Sequence, residues 1–227
     1  MTDKIVLYTA LICPYAQRAA IALREAGVEY ESVEIDLTNK PSWYKDVNPE
    51  LKVPALSIKG KSIAESLVLV ELANDLHPEK GLLPEDPVKR AEVRFVIEYF
   101  SSKITPLFYF VLRNMTEEGK KEYVEKITIA YKRLNELLLE QAASGPYFLG
   151  DQYSLADIAI APFLTRVLAV QKAYLKDIKF DVIDQSPRLQ QFFEGLLTRS
   201  SHADTYCGDN YLIDGFVSRW GLYDPRV

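Results

Sequence analysis

Residues 4–35 read KIVLYTALICPYAQRAAIALREAGVEYESVEI, and the order of patterns within them decides the architecture. Residues 4–10 are rich in β-formers. Residues 16–26 then have helical spacing, and Gly27 stands where a left-handed residue ends a helix. Residues 28–35 alternate apolar and polar side chains with period two, the pattern of a half-buried strand. Strand, helix and strand within about 30 residues form a βαβ unit, so the two strands are expected to be parallel.

Working outward, PALSI at 54–58, Lys59-Gly60 and KSI at 61–63 predict two short strands across a glycine turn. Helical spacing returns over 65–76, with Leu67, Val70 and Leu72 apolar. Residues 81–87, GLLPEDP, hold one glycine and two prolines and predict a linker. After it the chain reads helical throughout. Ala91, Phe95, Tyr99 and Ser102 form one expected buried stripe, and Tyr123, Ile127, Ala130, Leu134 and Leu138 another. Ser154-Leu155-Ala156-Asp157 is a capping-box variant, with Tyr153 and Ile158 placed for a hydrophobic staple. Ser186-Pro187 is a second helix start. The expected domains are therefore 1–80 (α/β), a linker at 81–87, and 88–227 (all-α).

Composition excludes several classes. The 227 residues are 48% hydrophobic, enough for a proper core in one large or two modest domains. With 27 basic and 32 acidic residues the net charge is −5, so no basic surface for nucleic acid is expected. Two cysteines (Cys13, Cys207) and two histidines (His77, His202) make neither a disulfide scaffold nor a recognisable zinc pattern, and no metal is expected. The apolar run 5–13 is too short to span a bilayer. Asp3 offsets Lys4, against a secretory leader. The expectation is a soluble cytoplasmic protein with free thiols and no membrane partner.

Cys13-Pro14 is the sharpest chemical feature. A cysteine just before a helix whose first residue is proline has free backbone N–H groups pointing at its sulfur. The helix end favours the thiolate by about 0.3–2 kcal/mol, so the thiol is expected to titrate up to about 1.5 pH units below its ordinary value. From position alone the alternative, a small buried side chain at a strand end, stays open. Cys13-Pro14-Tyr15-Ala16 lacks the second cysteine of a C-x-x-C pair. Such a thiol attacks a disulfide but needs an external thiol to resolve the product, so the sequence asks for a small thiol co-substrate.

Several motifs together resemble a cytosolic glutathione transferase of the omega class: Cys13-Pro14-Tyr15-Ala16-Gln17-Arg18, the stretch NKPSWY at 39–44, Asn48-Pro49, Val53-Pro54-Ala55-Leu56, Glu65-Ser66, the linker and the Ser154–Asp157 box. The resemblance is most specific over 5–87, good near 145–166 and weak beyond about 200. It implies a thioredoxin-like βαβ-ββα domain followed by the all-helical glutathione-transferase C-terminal domain. It implies Cys13 as the catalytic thiol and glutathione as co-substrate. Pro54 falls where the family has a cis-proline, which would free the Val53 N–H and C=O to pair with the tripeptide. Ser66 would hold the γ-glutamyl carboxylate and Glu65 the ammonium; Lys40 would face the glycine carboxylate, with Tyr15 and Leu37 as walls. Ile12, Phe108 and Arg166 are candidates for a hydrophobic second-substrate pocket, although aromatics such as Phe108 on a helix are more often core.

The implied chemistry is thiol transfer through a mixed disulfide on Cys13: reductive deglutathionylation, with dehydroascorbate reduction a further expectation. The rival is a binder of hydrophobic or aromatic small molecules with little turnover. The implied assembly is a homodimer. Three other signals are set aside. Gly60-Lys61-Ser62 lacks the earlier glycine and the following helix of a phosphate loop. Tyr8 is redundant as a thiol activator beside Cys13. Cys207 lies in a Gly/Asp-rich segment without a helix start.

Overall fold

Short β-rich runs separated by helical ones give a four-stranded sheet backed by helices in the first third of the chain. The computed structural model describes residues 4–227. Residues 1–3, assigned by sequence to the first domain and including the Asp3 of the leader argument, lie outside the described residues. β1 (Val6–Thr9) leads through Cys13 into α1 (Pro14–Ala26). Gly27 ends α1 at φ 72°, its N–H and that of Val28 returning to the carbonyls of Arg24 and Leu23. β2 (Glu31–Glu34) pairs parallel with β1, as the βαβ pattern requires. The strand is shorter than the alternation at 28–35 suggests. As the sheet's edge it leaves Glu31, Ser32 and Glu34 exposed, while the buried Val28 and Ile35 flank it.

A single turn, α2 (Tyr44–Val47), precedes the hairpin β3 (Ala55–Ile58) and β4 (Lys61–Ala64). The order β2-β1-β3-β4, with β3 antiparallel to both neighbours, makes the sheet mixed. α3 (Ser66–Leu76) packs beside α1. A 3₁₀ turn at Pro78–Lys80 and an irregular, bent stretch at 81–86 follow, and α4 (Pro87–Tyr99) begins inside the expected linker, capped by the Asp86 carboxylate on the N–H groups of Val88 and Lys89.

A π turn (Phe100–Ile104) joins α4 to α5 (Thr105–Arg113). The run Pro87–Arg113 has the length and hydropathy of a spanning helix, and its Val93, Val96, Ile97, Phe100, Ile104, Phe108 and Val111 are core side chains. This corrects the expected stripe: Ala91, Phe95 and Ser102 face outward, Phe95 being 54% exposed. Two sets with helical spacing overlap on this helix, and the richer one, Val93, Val96, Ile97 and Phe100, meets the core.

The second expected stripe holds. All five of its residues are buried on α6 (Glu117–Gln141). α7 (Leu155–Tyr174) runs through the centre of the molecule, apolar on nearly all sides, and packs on α1, α3, α4 and α9. Its capping box forms: Asp157 accepts from the Ser154 N–H, the Ser154 hydroxyl and the Phe148 N–H at 2.7–2.9 Å, all buried. α8 (Asp181–Asp184), α9 (Pro187–Thr198, starting at Ser186-Pro187), α10 (Ser200–Ala203) and α11 (Asp209–Trp220) complete the chain.

His202 on α10 is buried beneath α7, its Nε2 at 2.6 Å from the Thr165 hydroxyl. Thr165 donates its own proton to the Ala161 carbonyl, so it accepts from Nε2–H; Nδ1 has no hydrogen-bond partner, and burial favours the neutral ring.

Two stability predictions follow. Asp157→Ala orphans two buried N–H groups at about 1–3 kcal/mol each. The expected cost of about 3 kcal/mol lowers Tm by roughly 6–12 °C, read by thermal denaturation. Burial holds the His202 imidazole down at about 4, below its unfolded value of about 6.5. The unfolded chain therefore binds the extra proton between these values. The stabilisation is complete above pH 6.5 and is lost as pH falls towards 4. His202→Gln should flatten urea-unfolding stability against pH across that window by about 1–3 kcal/mol relative to wild type.

Candidate active site

The strand-to-helix corner after β1 presents a sulfur to a cleft. Cys13 is the N-cap residue of α1 and Pro14 its first helical position. The Cys13 N–H is tied to the Ala10 carbonyl at 2.8 Å, and its sulfur lies 3.9 Å from the Val53 carbonyl. Burial pushes the Cys13 thiol up; the N–H groups of Ala16 and Tyr15 and the charges of Arg166 and Arg219 pull it down, and burial prevails. This corrects the expectation of a depressed thiol, which weighed the helix end without the surrounding protein.

Two cavities meet at this sulfur. One, of about 510 Å³, is lined by Cys13, Tyr15, Leu37, Lys40, Val53, Pro54, Glu65 and Ser66, together with Asn48, Leu51, Lys52, Ala64 and Arg219. Every residue assigned by sequence to tripeptide recognition is in that lining. The Val53-Pro54 bond is cis, and neither Val53 N–H nor its carbonyl is held by backbone among the described residues. The Tyr44 hydroxyl and the Asn48 amide both donate to the Lys52 carbonyl, at 2.7 and 2.8 Å, and fix the approach to Val53. Leu51 (φ 54°) and Glu65 (φ 73°) are two of the three non-glycine residues with positive φ among those described, and both line this cavity. Such strain, of order 1–3 kcal/mol each, persists where surrounding structure imposes it, commonly at functional sites.

Ser66 opens α3 and is buried; its hydroxyl accepts from the Arg18 guanidinium at 3.5 Å. Because a guanidinium only donates, the Ser66 proton is left for another acceptor. The lining carries one carboxylate, Glu65, and three cations, Lys40, Lys52 and Arg219. That set suits a ligand with one ammonium and more than one carboxylate.

The second cavity, about 410 Å³, shares Cys13, Tyr15, Leu37 and Arg219 with the first and adds Ile12, Phe108 and Arg166, the three pocket candidates. Arg166 is 1% exposed and serves the wall from behind. Its Nε and two amino groups donate to the carbonyls of Ile12, Leu11 and Pro162 and to the Gln17 side chain, the shortest contact being 2.7 Å. With Pro14 and Gly215, the wall is completed by Tyr109, read from the sequence as helix core, and by residues that sequence reasoning missed, Leu212, Phe216, Arg219 and Trp220. The last four lie on α11, where the resemblance fades. The alternation of aromatic and apolar side chains in LIDGFVSRW at 212–220 was the available signal.

Tyr8 lines neither cavity and packs against Trp43 and Tyr44. Cys207 is half-buried at the start of α11. No cluster of three or more His, Cys, Asp or Glu side chains able to hold a metal occurs among the described residues.

Comparison with known proteins gives the same outline. Residues 7–81 match the family described as "Glutathione S-transferase, N-terminal domain", and residues 91–205 match "Glutathione S-transferase, C-terminal domain". The chain is similar to glutathione S-transferase omega-1 of Sus scrofa, 30% identical over 194 residues covering 85% of this chain and 76% of that one. It is also similar to maleylacetoacetate isomerase of Rattus norvegicus, 36% identical over 166 residues covering 70% and 76%. Among solved structures, glutathione transferase Omega 1C of Trametes versicolor superposes with a TM-score of 0.81 at 37% identity, covering 96% of this chain and 97% of that one.

In a Cys207→Ser background, the alkylation rate of Cys13 plotted against pH should have its midpoint above the ordinary thiol value, because burial prevails at the sulfur. A midpoint well below that value would show that the helix end and the two arginines win.

Proposed function

The chain belongs to the glutathione transferase family, with omega-class relatives, and on that premise we propose that it is a glutathione-dependent thiol transferase working through Cys13. Glutathione is the co-substrate of the family. The observation that supports the finer reading is the meeting of the two cavities at a sulfur rather than at a hydroxyl. A hydroxyl there would hydrogen-bond a glutathione thiolate and leave it free to attack an electrophile; a cysteine thiolate is itself the nucleophile.

The chemistry balances in two exchanges. The Cys13 thiolate attacks the glutathionyl sulfur of a mixed disulfide, forming Cys13–S–SG and releasing the substrate thiolate, which takes up a proton. A glutathione thiolate then attacks the Cys13 sulfur, releasing glutathione disulfide and restoring the Cys13 thiolate. One substrate disulfide is reduced and two glutathione moieties leave as one disulfide. With dehydroascorbate as the oxidant, two glutathiones supply the two electrons. A thiol held above its ordinary pKa has fewer thiolates at neutral pH, but each is more nucleophilic. Per tenfold loss in thiolate fraction, about a threefold gain in intrinsic reactivity offsets part of the deficit.

Roles in the first cavity follow its chemistry. Val53 offers backbone N–H and C=O to the cysteinyl unit, Ser66 its hydroxyl to the γ-glutamyl carboxylate, Glu65 its carboxylate to the ammonium, and Lys40 its charge to the glycine carboxylate. Tyr15 and Leu37 wall the thiol. The reading includes a cytoplasmic homodimer, for which the exposed Phe95 on α4 and Val68 on α3 offer apolar surface. A binder of aromatic molecules is the second reading, favoured by the Phe108, Tyr109, Phe216 and Trp220 wall, which needs no thiol to hold a ligand.

Cys13→Ser should lose thiol transfer from a glutathione mixed disulfide by about a hundredfold or more while conjugation of glutathione to a chloronitrobenzene rises. Thiol transfer surviving within a few-fold would remove Cys13 from the mechanism.

A further inference from the structure

Of the cations that line the cavities at Cys13, Arg219 alone both borders the two of them and lacks a hydrogen-bond or ion-pair partner among the described residues. Arg166 spends its donors on backbone carbonyls and Gln17. Arg18 is buried against Ala159, Ser66 and Ser101, and Lys40 borders only the first cavity. Arg219, in the last turn of α11, is exposed and has no hydrogen-bond or ion-pair partner among the described residues. It nevertheless lines both cavities that share Cys13.

The carboxylates that share a third cavity with it have other partners. A third cavity bordered by Arg219 also contains Glu34, Asp36 and Asp214. Asp214 is paired with Arg226 at 2.6 Å. Asp36 accepts from the Thr38 N–H and hydroxyl and from the Asn39 N–H. Glu34 accepts the Leu11 N–H. Arg219 thus brings a charge without an ion-pair partner among the described residues to the junction between the tripeptide cavity and a largely apolar, aromatic wall.

We infer that Arg219 is a specificity-determining residue that selects second substrates carrying an anionic group on an aromatic or apolar body, holding that group while the reacting sulfur meets Cys13. The inference rests on Cys13 being the attacking thiol. A guanidinium at a cavity mouth contacting a carboxylate favours the anionic partner, while an uncharged partner of the same shape gains nothing from it. Glutathione itself offers carboxylates, so the test separates that source from the second substrate.

The experiment follows modification of Cys13 in a Cys207→Ser background by two aromatic disulfides. One is the dianionic 5,5′-dithiobis(2-nitrobenzoate), the other the neutral 4,4′-dithiodipyridine. In each case the Cys13 thiolate displaces one aryl thiolate, which is read by absorbance in stopped flow. Arg219→Gln should lower the rate with the anionic reagent by about five- to tenfold relative to the neutral one, and Arg219→Lys should restore most of that ratio. Normalising to the neutral reagent removes any general change in thiol reactivity. An unchanged ratio overturns the inference. So does an unchanged ratio accompanied by a raised KM for glutathione, which would assign Arg219 to the tripeptide. If neither reagent modifies Cys13, the thiol-transfer reading itself fails, a result distinct from an unchanged ratio.

Discussion

The site depends on one buried guanidinium. Arg166 comes from the middle of α7, yet its donors end on the carbonyls of Leu11 and Ile12 and on Gln17. It thereby grips the loop that presents Cys13 from about 150 residues away in sequence. A charge taken out of water is costly unless its donors are satisfied, and arginine's planar fork suits several carbonyls at once. The helical domain therefore does more than roof the cleft: it sets the position of Cys13, and the Arg166 charge offsets part of the burial that disfavours the thiolate.

Arg18 crosses the same boundary in the opposite direction. From α1 it donates to the Ala159 carbonyl at 2.7 Å, lies over the Phe163 ring at 4.5 Å, and reaches the Ser66 hydroxyl. Tyr15, which lines both cavities, packs edge-on against the same Phe163. A forked pair between Arg199 and Glu25 at 2.7–2.8 Å and a contact from Gln17 to Thr205 extend the seam. α1 is thus held along its length by the second domain while its N-terminus carries the sulfur. A disturbance of α7 is expected to be felt at Cys13 and Ser66 together.

Much of this was legible in the sequence, for identifiable reasons. The parallel β1–α1–β2 unit, the β3–β4 hairpin and the α7 capping box are local patterns whose side chains act within a few residues of their positions. Cys13 to Ser66 could be collected because their motifs lie in the most specific part of the resemblance. What was hidden depends on distant partners. Phe95 and Val93 both carry helical periodicity, and only the tertiary packing of α4 decides which set meets the core. The titration of Cys13 depends on surrounding protein as well as on its helix end. Arg219 and Trp220 belong to a helix that reaches the cleft only through tertiary packing, so the pattern at 212–220 marks a helix without saying what it borders.

The central claim is that Cys13 forms and releases a disulfide with glutathione. The most direct test is the intact mass of the wild-type chain after exposure to glutathione disulfide, with peptide mapping and a second reading after reductant. The account predicts one glutathionyl group on Cys13, removed by reductant. No adduct, or an adduct confined to Cys207, would contradict it.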